Sequence, residues 1–134
     1  MSLVVDASVA VKWVLPEAAS ERAVAIRHGG EDLIAPALVY AEIGSALWRA
    51  VLRGDVAATE APRALSAAAA HYGRIIPLSE LAESALQLAM QLRHPIYDCF
   101  YLALAKRERC PLITADAKLV AAGKRAKGIE LRAL

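Results

Sequence analysis

Four acidic residues lie at positions where a carboxylate is either costly or unexpected. Asp98 lies near the start of the apolar stretch HPIYDCFYLALA, residues 94–105, and Glu42 lies among apolar residues in LVYAEIG. Asp6 and Asp116 each follow a short apolar run, SLVV and PLITA. Burying an unpaired ion costs several kcal/mol, so an acid in such surroundings is usually protonated, caps a helix, pairs with a base or binds a metal.

Taken singly, each of these acids has an ordinary structural explanation. Asp6 and Asp116 could cap the helices that follow them, and Asp98 could complement the dipole of a helix first turn. Glu42 could be a solvated side chain. Such contacts contribute roughly 0.5 to 2 kcal/mol each, so the placement of the four acids relative to one another has to decide between these roles and a shared site.

The elements that must position these acids alternate along the chain. Short apolar, partly β-branched runs predict strands at residues 2–6, 32–36, 73–78, 111–116 and 129–134. The segments between them have helical spacing, with Thr59 and Ser79 as expected N-caps and Gly54 as a helix stop. Parallel strands need helical crossovers, so the sequence predicts a single domain, residues 1–134, with a three-layer α/β/α fold around a mainly parallel sheet of four to five short strands.

This fold class predicts where the acids meet. In open parallel sheets, ligands bind beyond the carboxyl ends of the strands, near the point where the strand order reverses, and Asp6 and Asp116 follow two such ends. If the helices that carry Glu42 and Asp98 pack beside those strands, the four carboxylates converge in one pocket. At an effective dielectric constant of about 20, two like charges 4 Å apart repel by about 4 kcal/mol, so the cluster needs a cation.

An all-oxygen site favours Mg²⁺ or Mn²⁺ over zinc, and no Cys or His residue is expected to join it. Bound metal acidifies water and neutralises charge that develops on phosphorus, so the chemistry implied is phosphodiester hydrolysis without a covalent enzyme intermediate. The sequence has no Ser/His/Asp arrangement, because His28, His71 and His94 lie at helix ends, where the dipole or solvent accounts for them. It also has no GxxxxGK[ST] or GxGxxG loop for a nucleotide.

Composition sets broader limits. The formal net charge of +2 is too small to establish a nucleic-acid partner. The sequence has no apolar run of the roughly 18 residues that span a membrane and no signal peptide, which predicts a cytoplasmic protein without a membrane partner. Cys99 and Cys110 belong to no CxxC pair, and we interpret them as reduced thiols.

Four segments, in this order, resemble one known family across essentially the whole chain. They are VVDASVAVKW, APALVYAEIGSAL, IYDCFYLALA and LITADAKL. The chain resembles PIN-domain ribonucleases, and specifically the VapC-type toxins of bacterial toxin–antitoxin pairs. This resemblance implies a family quartet of acids without any departure from the pattern, formed by Asp6, Glu42, Asp98 and Asp116.

The resemblance also implies roles and partners. Asp6, Asp98 and Asp116 would bind Mg²⁺ or Mn²⁺, with Asp6 and Asp98 as the foremost direct ligands. The hydroxyls of Ser8 and Thr114 would orient carboxylates or waters around them. The expected activity is endoribonucleolytic cleavage of tRNA, rRNA or mRNA, and the expected partners are the RNA substrate, a cognate antitoxin that blocks the pocket and a second copy in a homodimer.

Basic and aromatic residues could add RNA contacts. Candidates for phosphate contacts are Lys12, Arg49, Arg53, Lys106, Arg107, Lys118, Lys124, Arg125 and Lys127, although a solvated helix face explains any one of them. Trp13 and Trp48 could stack on bases, but their apolar neighbours favour packing in the core or in a dimer. The Ala-rich helices of the first half could offer a surface to a second copy or to an antitoxin.

Two other classes of function remain open from the residues alone. The chain could be a non-catalytic metal-binding or nucleic-acid-binding α/β module in which the acids are structural. It could also be a receiver-like or phosphatase-like protein that uses Asp6 as phosphoacceptor or nucleophile, although Asp-Ala-Ser is not the paired acidic motif that such chemistry needs. Retained binding without metal-stimulated cleavage would favour the first, and phosphorylation of Asp6 by a small phosphodonor would favour the second.

Overall fold

The computed structural model describes residues 1–134. Its five strands are β1 (Ser2–Val5), β2 (Asp32–Pro36), β3 (Arg74–Ile76), β4 (Leu112–Thr114) and β5 (Leu131–Ala133). They form one sheet in the order β3-β2-β1-β4-β5, and all four neighbouring pairs are parallel. The predicted α/β class, with helices flanking a central parallel sheet, is confirmed.

Seven α-helices connect the strands. They are α1 (Ala7–Ala10), α2 (Ser20–Arg27), α3 (Leu38–Leu52), α4 (Ala61–Ala69), α5 (Ala82–Leu92), α6 (Ile96–Glu108) and α7 (Ala117–Lys124). Gly54 lies two residues beyond α3 with φ +80°, the left-handed conformation that favours glycine after a helix. No helix combines the length and the apolar character that crossing a membrane would require.

The two predicted helix caps are wrong. α4 has Glu60 at its N-cap, and α5 has Leu81 there after a short 3-10 turn, Leu78–Glu80, that contains Ser79. Neither helix has a side-chain cap hydrogen bond. Backbone carbonyls satisfy the donors instead, because the N–H of Glu60 donates to Ala57 and the N–H of Leu81 donates to Leu78.

The core is built around α6, which lies against β1, β2 and β4 and pairs with α5. Its residues 99–105 are all buried, so this helix has neighbours on every side over two turns. Trp13 belongs to the same core, and its indole N–H donates to the carbonyl of Ala23 at 2.8 Å. Trp48 does not, since it lies on the outer face of α3 and is 63% exposed, so core packing is the wrong interpretation for it.

The strand order reverses beside β1. From β1 the chain builds outward through β2 to β3, and it then returns to the other side of β1 to form β4 and β5. The carboxyl ends of β1 and β4 are therefore neighbours, with Val5 paired to Ile113. A crevice at the carboxyl ends of two such strands is the usual ligand site of open α/β sheets.

Candidate active site

The four acidic residues singled out in the sequence line one pocket at this crevice. The pocket has a volume of about 210 Å³, and its walls come from β1, α1, α3, α6 and the turn after β4. Its polar lining consists of Asp6, Ser8, Glu42, Arg49, Asp98 and Asp116. The fold therefore brings together acids that are up to 110 residues apart in the chain.

Asp6 lies at the end of β1 and does not act as a helix cap. Although it occupies the N-cap position of α1, its side chain makes no capping hydrogen bond. Its Oδ2 instead accepts hydrogen bonds from Ser8 Oγ at 2.6 Å and from Thr114 Oγ1 at 2.7 Å. These hydroxyls are held in turn, because Ser8 Oγ accepts from the N–H of Ala115 and Thr114 Oγ1 accepts from the N–H of Asp116, both at 3.0 Å.

The charge of Asp6 has no cationic partner within the chain. The residue is only 6% exposed, and no Lys, Arg or His side chain forms an ion pair with it. Burial raises the pKa of Asp6, the hydroxyls of Ser8 and Thr114 oppose that rise, and the charge of Asp98 adds to it. A buried carboxylate held only by uncharged donors is in the electrostatic situation that a bound cation would relieve.

Asp98 lies in the first turn of α6 and is held by a histidine. The Nε2 of His94 and the Oδ2 of Asp98 are 2.6 Å apart, with the two side chains 12% and 24% exposed. The explanation of His94 from the sequence as a residue governed by a helix dipole or solvent is therefore wrong. The other histidines lie elsewhere, His28 beside Arg27 and His71 against Trp13.

Glu42 lies on helix α3 and accepts a hydrogen bond from a buried tyrosine. The hydroxyl of Tyr101 donates to Glu42 Oε1 at 2.6 Å. Burial raises the pKa of Glu42 to about 7, with the phenol opposing the rise and the charges of Asp6 and Asp98 adding to it. A carboxyl group with such a pKa can exchange protons near neutral pH.

Of the two acids expected to cap helices, Asp116 is the one that does, while Asp98 lies in a helix first turn as expected. Asp116 occupies the N-cap of α7, and its Oδ1 accepts from the N–H of Lys118 at 2.9 Å. Its other carboxylate oxygen makes no hydrogen bond within the chain, and the residue also lines the pocket. Capping therefore fixes the carboxylate without using all of its acceptors.

A divalent cation fits the chemistry of this donor set, but not as a closed protein shell. No three His, Cys, Asp or Glu side chains are arranged to surround one ion on their own. Mg²⁺ is usually bound through one or two carboxylates and several waters, so a partial shell is what it requires. The carboxylates of Asp6 and Asp98, neither of them paired with Lys or Arg, are the residues present that would hold such an ion.

Sequence reasoning missed two members of this site. The spacing of His94 and Asp98, four residues apart across a helix start, was the available signal for their contact. No comparable spacing in the sequence indicates the role of Tyr101, which is fully buried and looks like an ordinary core residue of α6. Both supply a hydrogen bond to an acid of the pocket: His94, in the turn before α6, contacts Asp98 on α6, and Tyr101 on α6 contacts Glu42 on α3.

The predicted phosphate contacts separate into paired and unpaired cations. Lys12 forms an ion pair with Glu17, Arg53 with Asp55 and Arg107 with Glu80, so these charges are already compensated. The other predicted cations form no ion pair, and they are Arg49, Lys106, Lys118, Lys124, Arg125 and Lys127. Arg49 is the one that lines the acidic pocket.

Replacing Glu42 with glutamine tests its electrostatic environment through stability. The pKa is raised from 4.5 to about 7 on folding, so the contribution of this carboxyl group to wild-type stability is most favourable below pH 4.5 and declines as the pH rises to 7. Without divalent metal we expect E42Q to gain about 1 to 2 kcal/mol over wild type at pH 8, after discounting for the solvent-exposed part of the side chain, and nothing at pH 4. Urea unfolding at both pH values measures this, with the exposed Glu83→Gln as control. An equal effect at both pH values would contradict the raised pKa.

Comparison with known proteins agrees with this fold. The model of the PIN domain family matches residues 3–125. Ribonuclease VapC1 of Mycobacterium tuberculosis is 37% identical over 123 residues, which cover 89% of each chain. The crystal structure of PAE2754 from Pyrobaculum aerophilum superposes with a TM-score of 0.71 at 25% identity, covering 98% of this chain and 83% of that one.

A more distant structure shows the same fold. VapBC2 from Rickettsia felis, bound to a DNA fragment from its promoter, matches with a TM-score of 0.74 at 13% identity over 100% of this chain and 99% of that chain. With an acidic pocket at the switch point of a five-stranded parallel sheet, the chain belongs to the PIN-domain family. Within that family it is of the VapC type.

Proposed function

We propose that this protein is a divalent-metal-dependent endoribonuclease and the toxin of a toxin–antitoxin pair, with residues 1–134 acting as a single PIN domain in the cytoplasm. The observation that carries the proposal is the pocket itself. Four carboxylates line it, and the most buried of them, Asp6, has no cationic partner. The ribonuclease name of the VapC1 relative supports RNA as the substrate.

Each side chain of the pocket has a role in this proposal. Asp6 and Asp98 would hold Mg²⁺ or Mn²⁺ directly and Asp116 would hold it through bound water, and the ion would supply charge neutralisation and an acidified water. Ser8 and Thr114 fix the Oδ2 of Asp6 through their hydroxyls. Asp116 is anchored as the cap of α7, so its free oxygen stays at the pocket wall.

Glu42 is the side chain best suited to receive a proton from the attacking water. Without a bound cation its pKa is about 7, and a cation beside it would lower that pKa and favour the carboxylate form that accepts a proton. The hydrogen bond from Tyr101 holds Oε1 and leaves Oε2 without a partner in the chain. The hydrolysis then needs no covalent enzyme intermediate, because water rather than a side chain attacks the phosphorus.

Arg49 is the side chain in the pocket that can bind a phosphate. It lies two turns after Glu42 on α3, and its guanidinium contacts Ser45 Oγ at 3.0 Å rather than any of the four acids. A cation that lines an acidic pocket without pairing to it keeps its donors for an anionic ligand. This supports a polyanionic substrate that approaches across α3.

An apolar groove supports the antitoxin as a partner. It lies between α3 and α4, has a volume of about 350 Å³, and is lined by residues that include Leu47, Trp48, Val51 and Leu65. Glu42, Ala46 and Arg49 face the acidic pocket from the same helix. We propose that an apolar segment of the antitoxin occupies this groove. The adjoining part of the antitoxin would then cover the acidic pocket, because both sites are lined by α3.

A second surface supports the homodimer. Leu86 and Met90 on α5 and Tyr97 at the start of α6 are large apolar side chains that are at least half exposed. They belong to the helix pair α5 and α6 rather than to the groove between α3 and α4. Self-association there would leave the proposed antitoxin groove open.

The test is metal-dependent cleavage of RNA by the purified protein. We expect EDTA to stop cleavage and excess Mg²⁺ or Mn²⁺ to restore it, because without a cation nothing in the pocket neutralises the charge that develops on the phosphate beside four carboxylates. Sequencing of RNA ends after induced expression of wild type beside Asp6→Ala identifies the target in the same experiment. Ends that appear equally with Asp6→Ala, or cleavage that continues in EDTA, would contradict the proposal. RNA binding without metal-stimulated cleavage would indicate the non-catalytic module instead.

A further inference from the structure

The segment between α5 and α6 places a histidine against the proposed metal ligand Asp98. α5 ends at Leu92, Arg93 has φ +51° and ψ +50°, and Pro95 is the N-cap residue of α6 with φ −53° and ψ +137°. His94 therefore lies between two residues with well-defined backbone conformations, one left-handed and one restricted by its ring. A left-handed conformation is unfavourable at a non-glycine residue, so the surrounding structure must maintain this turn.

Backbone contacts fix the turn further. The N–H of His94 donates to the carbonyl of Ala89 at 3.2 Å, which ties the residue to the last turn of α5. The carbonyl of His94 lies 3.9 Å from the thiol of Cys99, which is buried in α6. The imidazole is thus presented by a turn that is bonded to both helices.

The imidazole occupies one oxygen of Asp98 and leaves the other free. Nε2 lies 2.6 Å from Oδ2, while Oδ1 has no hydrogen-bond partner in the chain. The terminal torsion of an aspartate is broad and roughly two-fold, so an unrestrained carboxylate would sample many orientations in a pocket open to water. A donor on Oδ2 restricts this torsion and fixes the direction in which Oδ1 points.

We propose that His94 is a positioning residue, which orients Asp98 so that its free oxygen is preorganised to bind the divalent cation. The proposal rests on the proposed function for the identity of the site. Ser8 and Thr114 hold Oδ2 of Asp6 in the same manner, so each of the two carboxylates has one oxygen restrained by the protein. Partners of metal ligands typically contribute 10-fold to 100-fold to metal affinity or activity.

The test compares variants that keep or remove the donor at the position of Nε2. The amide nitrogen of glutamine can occupy that position, whereas the shorter asparagine places its amide near the position of Nδ1 and cannot reach Asp98. We expect His94→Gln to bind Mn²⁺ within about threefold of wild type, and His94→Asn and His94→Ala to bind it 10-fold to 100-fold more weakly. Electron paramagnetic resonance titration of free Mn²⁺ measures this without requiring activity.

A matched control separates positioning from stability. His28→Ala removes an exposed histidine that also follows a helix, and it should leave Mn²⁺ affinity unchanged. For RNA cleavage at saturating Mn²⁺, His94→Asn should recover most of the wild-type kcat, because excess cation compensates for weak binding. Folded His94→Asn and His94→Ala proteins that bind Mn²⁺ as tightly as wild type would overturn the proposal.

The outcome for wild type distinguishes this proposal from the proposed function. Wild-type protein that binds Mn²⁺ but cleaves no RNA would contradict the ribonuclease, while the comparison of His94 variants would still decide the role of His94. Wild-type protein that binds no Mn²⁺ would overturn both. If His94→Ala does not fold, the pair of His94→Gln and His94→Asn carries the test alone.

Discussion

Asp98→Asn is expected to lower RNA cleavage by about 100-fold or more while leaving the fold intact. The amide oxygen of asparagine can accept the hydrogen bond that His94 now gives to Oδ2, so the side chain keeps its position. Its NH₂ group then takes the place of Oδ1 and presents a donor where a cation needs an acceptor. Cleavage kinetics with purified protein, together with growth after induced expression, measure the effect.

The control for this substitution is Asp55→Asn. Asp55→Asn removes the same charge from a residue that forms an exposed ion pair with Arg53, away from the pocket, so it should leave cleavage unchanged. The melting temperature of Asp98→Asn should lie within about 4 °C of wild type in EDTA, which corresponds to roughly 1 kcal/mol for a chain of this size. Full activity in Asp98→Asn would remove this residue from the mechanism.

Asp6→Asn is expected to stabilise the metal-free protein and to abolish RNA cleavage. In EDTA at pH 8 the wild type holds a buried carboxylate without a cationic partner, and burial raises the pKa of that group. Removing the charge should raise the melting temperature by several degrees, from a gain of about 1 to 2 kcal/mol. Because the folded pKa is raised, the gain should be present above that pKa and should disappear as the pH falls to the unfolded value of 3.8.

Added metal should reverse the order of the melting temperatures, so that wild type becomes more stable than Asp6→Asn. A ligand at 100 times its dissociation constant stabilises the folded state by about 2.7 kcal/mol, so Mg²⁺ should raise the melting temperature of wild type. Asp6→Asn should show little of this rise and should not cleave RNA. Differential scanning calorimetry with and without Mg²⁺ makes the comparison, and equal metal-induced shifts in both proteins would exclude Asp6 as a ligand.

Much of the fold could be predicted because its elements are short and regular. The run DLIAP coincides with β2, and SLVVD differs from β1 by one residue, since strands buried on both faces are continuously apolar. The order of helices and strands then required parallel pairing. Helix starts were less predictable, as the two wrong caps show, because carbonyls of a preceding turn replaced the expected side-chain oxygens of Thr59 and Ser79.

The site was predictable in its acids and not in their partners. Asp6 and Asp116 follow strands that the topology makes neighbours, so their proximity follows from the fold class. The contact of Tyr101 with Glu42 depends on how α3 and α6 pack, and 59 residues separate the two side chains. Burial of Tyr101 could be inferred from its neighbours, but the direction of its hydroxyl depends on the packing of two helices that are distant in the chain.

The pairing of β1 with β4 has a consequence for the chain during its synthesis. Asp6 emerges from the ribosome early, but Thr114, which holds its carboxylate, follows 108 residues later, and Asp116 later still. A nascent chain that ends before β4 therefore lacks the second wall of the crevice and cannot assemble a working centre. On the proposed function, a chain in synthesis cannot cleave RNA until Thr114 and Asp116 have been made and β4 has paired with β1.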